Sequence, residues 1–280
     1  MPSKGRSSAY MALFFGPDPG HNIVYMRPGK LYIGTSGWQY AHWRGVFYPQ
    51  GLSVKHQLEY YSQHFSATEI NSTFYRLPSK AAVARWMDTV PKKFRFCPKI
   101  SRFITHAKKL NDPQQAVPRF FDVFDPYRRS CGPVLLQLPA MLAFNAEKAG
   151  TFFDFLREQY PDWHFSLEAR HDSWMSAASA ALLEKHRIGW VMVDAGRRWP
   201  SSYEIVTTRH IYIRLHGPDG SYATKYTARA LHRLAEKCLS WRDSGHDCWI
   251  FFNNDIHGYA VGNARQLQQL TGGIGRLAGI

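Results

Sequence analysis

Cysteine is scarce in this chain: Cys97, Cys131, Cys238 and Cys248 are the only four among 280 residues. No two of them form a CxxC pair, which removes zinc-ribbon and thioredoxin-type motifs. Three of the four lie in or beside apolar strand or helix patterns and read as reduced core residues, so the expected compartment is the cytoplasm. No apolar run approaches the roughly 18–20 residues that span a bilayer, and no membrane partner is expected. The signatures GxGxxG, GxxxxGK[ST] and HExxH are all missing, which leaves a dinucleotide fold, a P-loop and a zincin without sequence support. Acids are short relative to bases: 21 Asp plus Glu against 35 Lys plus Arg, a formal charge of +14. A field of that sign attracts anionic partners, either small phosphate-bearing molecules or nucleic acid; simple solubility is the competing account.

What is present is globular. The apolar fraction is 45% and the charged fraction 20%, which excludes general disorder. Residues 1–30 read as a loosely structured N-terminal extension, with Met26 a candidate start, and residues 31–280 as one domain, because no composition shift divides them. Runs rich in β-branched and aromatic residues recur at Leu31–Gly37, Ala67–Thr73, Lys93–Ser101, Gly132–Pro139, Trp163–Arg170, Ile188–Ala195, His210–Gly217 and Asp247–Asn253. Between them Val54–Phe65, Ser79–Thr89, Asp112–Phe124, Ala146–Gln159, Met175–His186, Tyr226–Arg242 and Tyr259–Leu270 carry helical apolar spacing, several behind a Ser or Asn cap. The stretch from Gly196 to Arg209, with Pro200 and two serines, reads as a loop. Strand–helix alternation of this length predicts an α/β fold, a single (β/α)8 TIM barrel whose functional mouth lies at the C-terminal strand ends. A doubly wound open sheet is the runner-up.

Side-chain parity then nominates a site. In a strand, alternate residues face opposite sides, so Phe165, Leu167 and Ala169 share one face while Ser166, Glu168 and Arg170 share the other. The same reading sets Glu69, Asn71 and Thr73 against Ile70, and Arg95, Cys97 and Lys99 against Phe94 and Phe96. It sets Asp194 against Val191 and Val193, and Arg214 and His216 against Ile211, Ile213 and Leu215. Charge is costly to bury under helices, so the polar parity is expected to face inward. Glu69, Lys99, Gln137, Glu168, Arg170, Asp194, Arg214, His216 and Asn253 would then share one mouth. A salt-bridge plug is the bland alternative, although apolar residues would fill a barrel at least as well.

The runs Gly34-Thr35-Ser36-Gly37-Trp38, Glu69-Ile70-Asn71 with Thr73-Phe74-Tyr75, Lys99 through Arg102 with Ile104-Thr105-His106, Gln137-Leu138-Pro139, Glu168 through His171 with Ser173-Trp174, Arg214-Leu215-His216-Gly217 and Asn253-Asn254-Asp255 resemble those of the YecE-like family. The resemblance covers about Leu31 to Leu270 and implies a TIM barrel. The family is known as a domain of unknown function, so the resemblance implies no activity.

The residues themselves suggest a hydrolase-type enzyme acting on an anionic, phosphate-bearing or nucleic-acid-derived substrate. Lys99, Arg102, Arg170 and Arg214 are candidate phosphate clamps, with His106, Gln137, Asn71 and Asn253 as further binding residues. Glu168, Glu69, His216 and Asp194 are the candidate catalytic acids and bases. Trp38, Tyr75 and Trp174 are candidate stacking surfaces, with packing of the loops as the alternative for each tryptophan. The backbone N–H groups of Thr35, Ser36 and Gly37 are weaker candidates for an oxyanion. No cofactor is expected; Glu69, Glu168, Asp194, His216 and His257 are ligand types for Mn or Zn, but the interleaved arginines oppose a cation. Two other functions remain open: a non-catalytic nucleic-acid-binding protein, and a carbohydrate-acting enzyme using paired carboxylates. Nothing in the pattern sets the oligomeric state.

Overall fold

A computed structural model describes residues 27–201 and 205–272. Most of the expected extension, residues 1–26, lies outside the described residues. Eight strands appear among the described residues: β1 (Leu31–Thr35), β2 (Ala67–Ile70), β3 (Arg95–Pro98), β4 (Val134–Gln137), β5 (Phe165–Glu168), β6 (Ile188–Asp194), β7 (His210–Leu215) and β8 (Asp247–Phe252). They alternate with α1 (Gln57–His64), α2 (Ser72–Tyr75), α3 (Lys80–Thr89), α4 (Pro113–Phe124), α5 (Ala146–Gln159), α6 (Ala177–Lys185), α7 (Ala228–Asp243) and α8 (Tyr259–Leu270). The caps act as their residue types demand: the side chains of Ser79, Asn145, Ser176 and Thr227 accept from backbone N–H groups three residues on. No helix of the described residues is long and apolar enough to cross a membrane.

Hydrogen bonding organises the strands as two parallel sheets. Six run in the order β1-β8-β7-β6-β5-β4, and β2 and β3 form a separate pair. The continuous eight-stranded ladder expected of a closed barrel is therefore not what the backbone forms. Two seams differ from the rest. Between β3 and β4, isolated bridges join Phe96 to Cys131 and Lys99 to Leu135. Between β1 and β2, side chains substitute for the ladder: Thr35 N–H donates to the Tyr61 hydroxyl at 2.8 Å, Ile33 N–H to Ser66 Oγ at 3.2 Å, and Thr68 Oγ1 to the Thr35 carbonyl at 3.1 Å. Gly34 makes that approach possible, since a Cβ there would fall 1.9 Å from the Ala67 carbonyl oxygen. Tyr61→Phe should leave the buried Thr35 N–H without an acceptor and cost about 1–3 kcal/mol, read as a lowered urea midpoint with an unchanged slope.

The two strand parities fill two separate apolar clusters. Ile33, Phe96, Leu136, Phe165, Leu167, Met192, Ile213 and Phe252 pack in the larger one, with the buried helix faces. Tyr32, Ala67, Cys97, Leu135, Val191, Val193, Tyr212, Trp249 and Phe251 form the second, where the Tyr32 and Trp249 rings stack at 3.9 Å. The inner face of the curled sheets thus has an apolar middle, with Ser166 and His210 paired towards its N-terminal end and Glu69, Glu168 and Arg214 towards its C-terminal end.

One boundary and one parity that bear on the site differ from the sequence expectation. The second run leaves the strand at Ile70, because Ser72–Tyr75 turns into α2 and Thr73 Oγ1 donates to the carbonyls of Ile70 and Lys99. Thr73 therefore ties β2 to β3 and does not face the mouth. On β6 the expected parity is reversed. Val191 and Val193 are on the inner face, so Asp194 is on the outer one, where it lines a small cavity with Leu215, Tyr226, Leu231 and Leu234. Both faces of β6 are apolar, so nothing in its pattern could have marked the inner side.

Candidate functional site

At the C-terminal strand ends a cavity of about 550 Å³ opens, lined by residues that follow β1, β2, β3, β4, β5, β7 and β8. Eight of the expected site residues line it: Asn71, Tyr75, Lys99, His106, Gln137, Arg170, Arg214 and Asn253. Beneath the opening sits a fully buried ionic layer. The Arg214 guanidinium is bidentate to Glu69, Nε to Oε2 at 2.9 Å and Nη2 to Oε1 at 2.7 Å, while its Nη1 donates to Glu168 Oε2. Glu69 Oε2 also accepts from the Tyr212 hydroxyl at 2.8 Å, and Glu168 Oε1 from Arg170 Nε at 2.8 Å. Both carboxylates have 0% exposure and neither lines the cavity. Burial would raise the Glu168 carboxyl, but the charges of Arg214 and Arg170 overcome it and hold the group well below the usual carboxylate range.

Lys99 stands beside this layer without joining it. Its Nζ donates to the neutral Gln137 Oε1 at 2.7 Å and lies 4.0 Å from the centroid of the Phe74 ring. No carboxylate lies within ion-pair distance of it among the described residues. Burial, followed by the positive charge of Arg214, pulls its ammonium down to about 7. His106 bonds to Thr105 Oγ1 at 2.9 Å, and burial followed by Lys99 pulls it down to about 4. Next to β7, His216 is wholly buried; Asn253 Nδ2 donates to its Nδ1 at 3.1 Å, and its Nε2 has no partner. Burial and then Arg214 hold it well below the ordinary imidazole range.

Sequence reasoning missed the wall built by the β1 and β8 loops. His42 Nε2 meets Asp255 Oδ2 at 2.9 Å, and Trp43 Nε1 donates to the same carboxylate at 2.9 Å. Asp255 is raised by burial, against the Trp43 bond and the His42 contact. Tyr40, Phe74, Tyr222 and Ile256 complete the lining. Asp255 had a signal, since it ends the polar run Asn253-Asn254-Asp255; His42 and Tyr222 lie in loops where periodicity gives none. Arg170 also stacks on Trp199, guanidinium carbon to ring 4.3 Å, a contact no spacing could forecast.

Several expected residues fall elsewhere. Trp38 packs edge-on to Trp86 and Phe96, and Trp174 is buried, donating to the Leu142 carbonyl, so both are packing residues. Arg102 is exposed and outside the lining, as is His257. The N–H groups of Thr35, Ser36 and Gly37 are spent on Tyr61, Phe252 and the Thr35 carbonyl, so they cannot hold an oxyanion. Among the described residues no three His, Cys, Asp or Glu side chains are grouped as a metal site.

Residues 32–276 match a family model described as "Protein of unknown function DUF72". The chain is 30% identical over 146 residues to the UPF0759 protein YecE of Escherichia coli K12, a match spanning 52% of this chain and about half of that relative. It is 24% identical over 270 residues to the UPF0759 protein YunF of Bacillus subtilis, covering 86% of this chain and 94% of that one. A DUF72 family protein from Thermotoga maritima superposes with a TM-score of 0.78 at 29% identity, over 86% of this chain and 98% of the other. One from Enterococcus faecalis superposes at 0.74 with 20% identity, over 86% and 95%, which bears on the fold alone.

Proposed function

The chain belongs to the DUF72 family, and we propose that its mouth binds a compact anionic small molecule, phosphate-bearing or derived from nucleic acid, on which it acts as an acid–base enzyme. The reading treats the two sheets as one curled (β/α)8 barrel with its site at the C-terminal ends. One observation supports it above all: charge is sorted by depth. The carboxylates Glu69 and Glu168 are sunk out of contact with the cavity, while Lys99, Arg170 and Arg214 line it. A ligand entering from solvent meets cations and neutral donors, with Asp255 already engaged by His42 and Trp43.

The same geometry reassigns the acid–base work. Glu168 is held ionised between two arginines, and Glu69 spends both oxygens on Arg214 and Tyr212. Neither is free to be the protonated acid that paired-carboxylate sugar chemistry requires, so the carbohydrate reading loses its residues. His42, partly exposed and oriented by Asp255, is the proton carrier we assign. Hydrolysis is the version in which His42 draws its proton from a water.

Inorganic phosphate and a single-stranded oligonucleotide are the probes. Arg170→Met should weaken phosphate binding roughly 10- to 100-fold, the loss of one charge-assisted bond, in calorimetry at fixed salt. A compact anion should also bind with only a shallow salt dependence. Oligonucleotide binding with a steep log–log salt slope, tighter than phosphate and indifferent to Arg170→Met, would replace this reading with the nucleic-acid-binding one.

A further inference from the structure

Lys99 is an unusual lysine for a buried one. It is 7% exposed, yet it is one of the residues that line the cavity. Its contacts are a neutral amide oxygen and the face of Phe74, with no carboxylate in ion-pair reach among the described residues. A structural lysine at this depth would be tied to Glu69 or Glu168, and both are given over to arginines instead. Burial of an amine that no carboxylate pairs with, beside the second cation Arg214, is a setting that favours the uncharged, nucleophilic form.

Resting on the anion-binding reading, we propose that Lys99 is a covalent nucleophile, forming an imine with the carbonyl carbon of a compact oxo compound whose carboxylate or phosphate is held by Arg170. Two steps balance the reaction. The Nζ lone pair adds to the carbonyl carbon, the C=O π pair moves to oxygen, and one proton passes from nitrogen to that oxygen, giving a carbinolamine. The C–O bond then breaks, the oxygen leaves as water with a second proton, and the nitrogen lone pair forms the C=N bond. One water is released, nothing is oxidised or reduced, and hydrolysis returns the amine. His42, lining the same cavity and paired with Asp255, is the group placed to deliver the proton that lets water depart.

The test treats the full chain with pyruvate, and in parallel with dihydroxyacetone phosphate, under sodium borohydride, followed by peptide mass mapping. The expected result is a reduced adduct at Lys99 that forms readily at pH 7, with exposed lysines such as Lys55 and Lys80 labelled only at alkaline pH. Lys99→Arg should abolish that adduct, and the mapping on the unaltered chain does not depend on how the variant folds. Labelling at Lys99 no faster than at Lys80 at neutral pH, or no adduct there, overturns the proposal. Excess inorganic phosphate separates the two readings. If phosphate binds by calorimetry but no adduct forms, the imine falls and the anion site stands. If an adduct forms that phosphate does not suppress, the anion-holding role of Arg170 falls, and the oxo-anion substrate class with it.

Discussion

Arg214→Met should lower stability by about 3–5 kcal/mol, the cost of leaving buried carboxylates without their partner. For a domain of this size that is roughly 6–20 °C in melting temperature by scanning calorimetry. The reason is the geometry of the layer: one guanidinium satisfies three carboxylate oxygens on Glu69 and Glu168, and both carboxylates have 0% exposure. Remove the cation and Glu69 keeps only the Tyr212 hydroxyl, Glu168 only Arg170, while both stay buried. The triple variant Glu69→Gln, Glu168→Gln, Arg214→Met should recover most of the loss, because a neutral layer escapes the desolvation cost of all three ions. A single variant that melts with the unaltered chain would mean that water reaches the layer and screens it.

Lys99→Met should do the opposite and stabilise the protein at pH 6. In an unfolded chain a lysine titrates near 10.4; in this site burial and Arg214 bring it down to about 7. The folded state therefore binds that proton less readily than the unfolded state does. The penalty is complete below pH 7 and fades as pH rises from 7 towards about 10.4. Replacing the lysine removes it, a gain of roughly 2–4 kcal/mol at pH 6 that shrinks through the alkaline range. Urea titrations of both proteins at pH 6, 8 and 10 measure it. A variant less stable by the same amount at all three values would make Lys99 a packing residue. Glu168 acts on a different window: its depressed carboxyl contributes stability above the unfolded value of about 4.3, lost as pH falls further.

Parity reasoning reached most of the mouth because each of its polar strand ends interrupts an otherwise apolar alternation. Arg214 between Ile213 and Leu215, and Glu168 after Leu167, are legible for that reason. Where both faces of a strand are apolar, as on β6, the same logic has nothing to grip and Asp194 went to the wrong side. Parity also cannot see depth. It grouped Glu69, Glu168, Lys99 and Arg170 as equals, whereas packing puts the carboxylates under the floor and the cations on it. The His42–Asp255 pair joins residues 213 positions apart through two loops, and only tertiary structure brings them to 2.9 Å. The fold was readable as alternating strands and helices; the division into six strands and two was not, because it depends on which backbone pairs meet.

The seam between β1 and β2 closes one wall of the cavity with hydroxyl groups in place of a backbone ladder. Between β7 and β8, by contrast, parting the strands means breaking six consecutive backbone pairs. At the seam the closing bonds come from the hydroxyls of Tyr61, Ser66 and Thr68. The loop after β1 carries Tyr40 and His42, and the segment after β2 carries Asn71, Phe74 and Tyr75, so both flanks of the seam end in cavity lining. The β7–β8 side holds Arg214 in register, and its guanidinium reaches across to Glu69 on β2 and Glu168 on β5, so one side chain rivets the hydroxyl-closed side of the mouth to the ladder-closed one.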